Sequence, residues 1–278
     1  MEPGDWYNAD QVEGTVENLT DAVGNLGYAF VDIRPQVRRD RETREIDITF
    51  EISEGPRVFV ERINISGNTR TLDKVIRREI QLIEGDAFNT AQLRRSQQRL
   101  RNLGFFETVE VNNVPGSAPD KTVVEVEVEE QSTGELSLGA GFSSSEGPIG
   151  DFGIREKNLL GKGQDLGVTF TISSRTQEID LSFTEPYFMD RNVSAGFDLF
   201  RVTRDFEEEA GFDQRSTGFN LRAGYSTAYP MSQELKYGFS RDEVRNVDST
   251  ASRFIREQEG ITYASVVSQD LLYDRRDS

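Results

Sequence analysis

Residues 123–145, VVEVEVEEQSTGELSLGAGFSSS, constrain this chain more than any other stretch. In their first half Val124, Val126 and Val128 alternate with Glu125, Glu127 and Glu129, the pattern of a strand with one buried and one wet face. Gln131-Ser-Thr-Gly134 interrupts the run, and alternation then resumes with Leu136, Leu138, Ala140 and Phe142 against Glu135, Ser137, Gly139 and Gly141. The second strand opposes apolar residues to mostly small ones rather than to charges. That is the pattern of a transmembrane barrel strand, apolar toward lipid and small or polar toward a lumen. Before this joint the chain reads as α+β; after it, as all-β. A domain boundary is expected near residue 131.

The half before the joint contains a repeat. Gly4-Asp-Trp-Tyr-Asn8 recurs 81 residues later as Gly85-Asp-Ala-Phe-Asn89. Asn8 and Asn89 each stand three residues before a Gln, at Gln11 and Gln92, which is a helix N-cap followed by a capping-box-like partner. Leu26-Gly-Tyr28 and Leu103-Gly-Phe105 close the two helices, with Gly27 and Gly104 at the C-cap position. Val12, Val16, Leu19, Val23 and Leu26 keep helical spacing. Each copy continues into two strands: 31–37 and 45–52 in the first, 107–112 and 122–130 in the second. Residues 38–42 and 115–119 make the hairpin connections. The second copy also has an earlier strand, 58–65, and an earlier helix, 72–82. Thr71 is expected to cap that helix, and Leu72, Val75, Ile76, Ile80 and Ile83 to form its apolar side. One full unit is therefore β-α-α-β-β over about residues 57–131, and the first unit begins part-way through.

The half after the joint is a strand array. Alternation marks strands at 135–142, 149–157, 165–172, 179–184, 193–199, 219–226, 235–240 and 261–273, with 149–157 and 261–273 weaker. The chain thus reads as eight strands of about the length needed to cross a bilayer at a tilt. Leu138, Phe170, Leu181 and Leu221 are expected to face lipid; Gly139, Thr169, Asp180 and Arg222 are expected to face a lumen. Residues 161–163, 185–191 and 228–232 make short connections, whereas 204–216 and 241–260 read as long charged loops. Short inner turns and long outer loops belong to outer-membrane barrels, and this polarity puts the repeats on the periplasmic side. A soluble β-sandwich also alternates and stays open as an alternative.

Composition narrows the function classes. The net charge of −17 disfavours nucleic acid as a partner, because phosphate would be repelled. With no Cys and no His there is no disulfide, no thiolate chemistry, no Ser-His-Asp triad and no zinc-cysteine site. No run nears the roughly 18 apolar residues of a membrane helix. Met1-Glu-Pro-Gly-Asp5 carries no basic-then-apolar leader, so Met1 is expected to be a cut into a longer chain. Glu207-Glu-Glu209 with Asp205 and Asp213 offers carboxylates for calcium, but the spacing fits no EF-hand and a solvated loop explains it better. Gly161-Lys-Gly163 lacks the rest of a phosphate loop and reads as a turn. No cofactor, catalytic residue or metal ligand is expected.

Several motifs, in order, carry a resemblance: Arg77-Arg-Glu-Ile80, Glu84-Gly85, the run RLRNLGFFET at 99–108, NLLGKG at 158–163, and Thr184-Glu-Pro-Tyr-Phe188. Together they resemble the POTRA-plus-barrel superfamily of outer-membrane β-barrel assembly factors, over nearly the whole chain. The resemblance implies a partial penultimate POTRA domain at 1–56, the last POTRA domain at 57–131, and the N-terminal half of an outer-membrane barrel at 132–278. About eight of the family's sixteen barrel strands would be present, so this piece alone would not close the barrel. It implies a Gram-negative bacterial outer membrane, with the POTRA domains in the periplasm. It implies a non-enzymatic component that folds and inserts β-barrel clients in the lipid bilayer, assisted by accessory outer-membrane lipoproteins. The first barrel strand, Glu135, Leu136, Ser137, Leu138, Gly139, Ala140, Gly141 and Phe142, would be the seam onto which an unfolded client strand pairs. Gly139 and Gly141 would leave that edge loosely held. Arg77, Arg78 and Glu84 would lie at a lipoprotein docking face. Alternatives are a secretion or translocation pore on the same plan, or a periplasmic binding module.

Overall fold

A computed structural model describes residues 6–24, 31–40, 45–54, 57–226 and 231–274. The chain separates into two compact units, Met1–Gln131 and Ser132–Ser278.

The first unit opens with helix α1 (Ala9–Gly24), where Asn8 Oδ1 accepts the Asp10 amide at 2.9 Å. A hairpin follows, β1 (Val31–Asp40) against β2 (Glu45–Glu54), antiparallel throughout. Gly27 and its proposed C-cap lie outside the described residues. The second copy is complete: β3 (Phe59–Ser66), α2 (Asp73–Arg77), α3 (Thr90–Asn102), β4 (Phe106–Pro115) and β5 (Lys121–Glu130). Its sheet order is β3-β5-β4, with β3 parallel and β4 antiparallel to the central β5. The β-α-α-β-β order read from the sequence is the observed one. Asn89 caps α3 by accepting the amides of Ala91 and Gln92, at 2.8 and 3.2 Å. Gly104 takes φ +69°, the left-handed value its C-cap position requires. One face of the sheet and both helices close over Val60, Val75, Ile76, Phe88, Leu100, Val124 and Val126, all fully buried.

The helix expected over 72–82 is much shorter. After Arg77 the amides of Glu79 and Ile80 reach back only three residues, to Ile76 and Arg77. The Gln81 amide leaves the helix altogether and donates to Ser96 Oγ on α3 at 2.8 Å. Ser96 is fully buried, so this contact from another helix overrides the local periodicity. Val75, Ile76 and Ile80 are buried as expected, whereas Leu72 and Ile83 are exposed. Thr71 is not the cap. Leu72 holds that position without a side-chain bond, and the Thr71 amide donates to Glu130 Oε1 at 2.6 Å.

Glu130 ties the whole 69–71 loop to the end of β5. It also accepts the Thr69 hydroxyl at 2.8 Å and the Arg70 amide at 2.9 Å. Partial burial alone would raise its pKa, but the donors from Thr71, Thr69 and Arg70 outweigh that and hold it from 4.5 down to about 2. A depressed carboxylate pKa adds stability that is full above the unfolded value and vanishes as pH falls through the folded one. The unit is therefore expected to lose about 1–2 kcal/mol, discounted for solvent, between roughly pH 4.5 and 2. Glu130→Gln should remove that part of the pH dependence in urea titrations; an unchanged pH profile would count against it.

The second unit is an eight-stranded antiparallel meander: β6 (Gly134–Ser143), β7 (Gly147–Leu159), β8 (Gln164–Ser173), β9 (Thr176–Glu185), β10 (Val193–Asp205), β11 (Asp213–Ser226), β12 (Met231–Arg245) and β13 (Gly260–Tyr273). All eight expected strands are present. Two expected loops are shorter than the charges suggested. β10 runs to Asp205 and β11 starts at Asp213, leaving only one helical turn, α4 (Glu207–Ala210), between them. β12 likewise continues to Arg245, and its loop to β13 carries α5 (Arg253–Glu257). Charge marks where the strands leave an apolar environment, not where pairing stops. The acids of the first loop are engaged separately: Asp205 accepts the Glu207 amide, Glu208 pairs with Arg175 at 3.0 Å, and Asp213 accepts from Asn246 at 2.7 Å.

Candidate functional site

Strand register sorts the second unit's side chains into two faces. One row on the first face runs Leu136, Ile154, Val168, Leu181, Leu199, Phe219 and Phe239, across seven strands without a polar residue. Beside it run Leu138, Phe152, Phe170 and Ile179, and, on the other side, Phe183, Phe197, Leu221 and Tyr237. Phe219 and Phe239 stand 5.8 Å apart, and Phe239 stacks on Tyr263 at 6.0 Å. These rows are not a sandwich core: Leu136, Phe170, Leu199 and Leu221 are all exposed. The apolar face is two-dimensional, continuous and uncovered.

The opposite face is concave and polar. Ser137, Gly153 and Thr169 line it together with Arg155, Asp165 and Ser182, and Thr184, Asp198 and Arg222 continue it. Two of its arginines are paired within the sheet. Arg155 grips Asp165 through two nitrogens, at 2.9 and 2.6 Å. Arg222 grips Asp198 at 2.9 and 3.1 Å and donates to Thr184 Oγ1 at 3.1 Å. Thr169 and Arg222 therefore lie on the polar face, and Leu138, Phe170, Leu181 and Leu221 on the apolar one, as the alternation requires.

The sheet has two open edges, β6 and β13, each paired on one side only among the described residues. β6 pairs with β7 from Gly134↔Glu156 to Ser143↔Gly147, and all but its last residue are exposed. Every second residue of an antiparallel edge turns its N–H and C=O outward, so ten residues present about five such pairs. β6 carries Gly134, Gly139 and Gly141, whereas β13 is rich in Val, Leu and Tyr. β6 is thus the less firmly formed of the two edges. Its two inner glycines differ. A Cβ at Gly139 would lie 3.2 Å from the Asp151 side chain, while one at Gly141 would meet nothing within 4 Å.

The three charged residues of the first unit are not equivalent. Arg77 and Glu84 are half-exposed and pair with each other at 3.4 Å. Both also reach the outer edge of β3: Glu84 Oε1 accepts the Ile63 amide at 3.0 Å, and Arg77 approaches the Ile63 carbonyl at 3.4 Å. Arg78 is turned inward beside Glu79, a buried carboxylate held by Arg99 at 2.9 Å. The sequence gives no sign of the Ile63 contacts, because they join residues 14 and 21 positions apart through an edge whose register is set elsewhere.

The sequence matches two known domains: the POTRA surface antigen variable number repeat at residues 1–55 and 58–131, and the Omp85 superfamily domain at 158–278. The chain belongs to the Omp85 superfamily. Among curated Omp85 relatives, outer membrane protein assembly factor BamA of Neisseria meningitidis is 35% identical over 240 residues, covering 86% of this chain and 30% of that protein. BamA of Nitratidesulfovibrio vulgaris is 30% identical over 277 residues, covering 98% and 34%. The crystal structure of Haemophilus ducreyi BamA lacking POTRA domains 1–3 superposes with a TM-score of 0.73 at 25% identity, covering all of this chain and 56% of that one. The chain thus spans about a third of the length of the curated relatives it matches. In Omp85 terms the first unit holds the POTRA repeats and the second is an incomplete antiparallel transmembrane barrel, its apolar face the lipid face and its polar face the lumen wall.

Proposed function

We propose that this chain belongs to an outer-membrane β-barrel assembly factor that folds and inserts clients by strand pairing at β6. Its domains are a partial POTRA domain at 1–56, a complete one at 57–131, and the first half of the barrel from 132. The POTRA domains stand in the periplasm. The relatives' names supply the class, and the observation that supports the mechanism is the glycine content of β6, Gly134, Gly139 and Gly141, in a sheet with one lipid-ready face. Within a bilayer an unpaired edge is costly, so such a seam demands a partner strand. An incoming client strand supplies it by β-augmentation. Four or five main-chain bonds at ~0.5–1.5 kcal/mol net each hold a client by several kcal/mol and still let it leave. The work is done by backbone pairing and needs no catalytic group or cofactor. A cysteine at Ser137 or Gly139 of the full-length protein is expected to crosslink to client strands during assembly. Crosslinks that form only to the protein's own strands would sink the reading.

Accessory lipoproteins are the proposed partners of Arg77 and Glu84, with Arg78 supporting the site through Glu79. Exposed pairs of this kind contribute little to stability, ~0–1 kcal/mol, so their loss should not unfold the unit. Arg77→Glu should lower lipoprotein co-purification several-fold. Arg77→Gln also loses the internal pair with Glu84, so it should lower co-purification clearly less than Arg77→Glu if a partner reads the charge. Normal co-purification of both variants would count against docking here.

A further inference from the structure

Two turns at one rim of the barrel sheet present large apolar side chains that no described residue of the sheet covers. They lie at the end where β6 begins, between β7 and β8 and between β9 and β10, about 10 Å apart by strand spacing. In the first, Leu160 is 76% exposed and holds φ +54°. In the second, Met189 is 76% exposed at φ +56°, and the neighbouring Phe188 is also exposed. Bulky residues rarely occupy this left-handed region, where Gly or Asn is the ordinary choice. Here a strained conformation is spent on turning an apolar side chain outward.

Neither turn is frayed. In the first, Gly161 N donates to Asn158 O at 3.0 Å, Lys162 N to Leu159 O at 3.1 Å, and Gly163 N to Asn158 Oδ1 at 2.7 Å. In the second, Asp190 N donates to Tyr187 O at 3.0 Å, Arg191 N to Phe188 O at 3.2 Å, and Tyr187 N to Glu185 Oε1 at 3.0 Å. Each tip also carries an exposed cation, Lys162 or Arg191, with no ion pair among the described residues. In a chain of net charge −17, Lys162 and Arg191 stand beside three exposed apolar side chains, with the exposed Asp190 next to Arg191.

We propose that these turns are a lipid anchor: Leu160, Phe188 and Met189 enter the periplasmic leaflet of the membrane, and Lys162 and Arg191 bind anionic phospholipid headgroups. The inference rests on the membrane placement of the sheet given above. Two features of the sheet select lipid as the occupant. The tips stand at the rim of the sheet that bears the apolar face, beyond Glu156 and Asn158 on β7. Their cations complement phosphate, and an apolar tip flanked by Lys or Arg is how interfacial anchors are built. Such an anchor fixes the depth of the sheet near its first strands, so the β6 seam meets the bilayer at a set height.

The test uses the full-length protein in nanodiscs of 7:3 phosphatidylcholine and phosphatidylglycerol. An environment-sensitive dye is placed at Leu160→Cys or Met189→Cys, with Leu199→Cys as a mid-membrane control and Asp120→Cys as an aqueous one. Both turn positions should lose at least half their emission to a shallow spin-labelled lipid and little to a deep one. Leu199→Cys should show the reverse, and Asp120→Cys neither. Replacing phosphatidylglycerol with phosphatidylcholine should weaken the shallow quenching about twofold, and Lys162→Glu with Arg191→Glu should abolish that dependence. Turn dyes no more quenched than Asp120→Cys, with Leu199→Cys quenched, overturn the anchor and leave the membrane placement intact. An unquenched Leu199→Cys overturns the placement itself. Blue-shifted but unquenched turn dyes assign the tips to a protein partner and overturn the anchor as well. Quenching indifferent to lipid charge overturns the headgroup half of the proposal.

Discussion

A disulfide that ties β6 to the strand closing the barrel in the full-length protein is expected to stop client assembly altogether. The expectation follows from the number of main-chain groups at stake. About five outward pairs on β6 can serve either the closing strand or a client, not both. A covalent tie makes the first pairing permanent, and the client then meets no edge. Reduction should restore assembly at the original rate, which separates a locked seam from a misfolded barrel. Glycine substitutions grade the same idea. A Cβ at Gly141 would meet nothing within 4 Å, so Gly141→Val should stiffen the edge without disturbing β7, and slow assembly a few-fold. Gly139→Val must displace Asp151, whose carboxylate accepts the Thr171 hydroxyl at 2.7 Å, so any effect there mixes seam and lumen. Measured as the gain of heat-modifiable client on cold gels, an undiminished rate in the locked protein would end the seam mechanism.

Much of this was legible because it rests on local rules. The alternation of Val124, Val126 and Val128, and then of Leu136 and Leu138, states which side of each strand meets an apolar phase before any fold is known. Asn89 and Gly104 bound their helix by geometry that depends on nearest neighbours alone. What stayed hidden depends on residues distant in sequence. The apolar spacing from Leu72 to Ile83 describes a three-turn helix well, and only Ser96, reaching from α3 to the Gln81 amide, ends it after Arg77. Glu130 gives no local sign that it gathers residues 69–71 about 60 positions away. The charged residues around 204 and 215 suggested a loop because solvated charge and loops correlate. Yet Arg204↔Gln214 and Asp205↔Asp213 still pair as strand beyond the apolar rows. For the proposed site, β6 could be read from alternation, whereas the Arg77–Glu84 contact with Ile63 required the observed edge.

Leu181→Arg is expected to cost the barrel about 2–4 kcal/mol, while Ser182→Arg, one residue along the same strand, should cost ~0–1 kcal/mol. The two positions share depth, strand and neighbours in sequence, and differ only in face. Leu181 sits inside the seven-strand apolar row, between Val168 and Leu199, where an arginine would carry its charge into hydrocarbon. Ser182 lies on the concave polar face between Gly167 and Asp198, where an added guanidinium meets water and a nearby carboxylate. Depth supplies a second contrast. Ile179 lies two residues nearer the outer end and is paired with Arg201, a native charge on the same face. Ile179→Arg should therefore fall well below Leu181→Arg, because the penalty for a charge declines from the bilayer midplane to its interface. Urea titrations of the full-length protein in phospholipid vesicles, read by cold-gel mobility, give all three values. Equal costs at Leu181 and Ser182 would show that the two faces do not meet different solvents. Equal costs at Leu181 and Ile179 would place the apolar row outside a bilayer, since no other environment of this exposed face imposes a gradient along the strand.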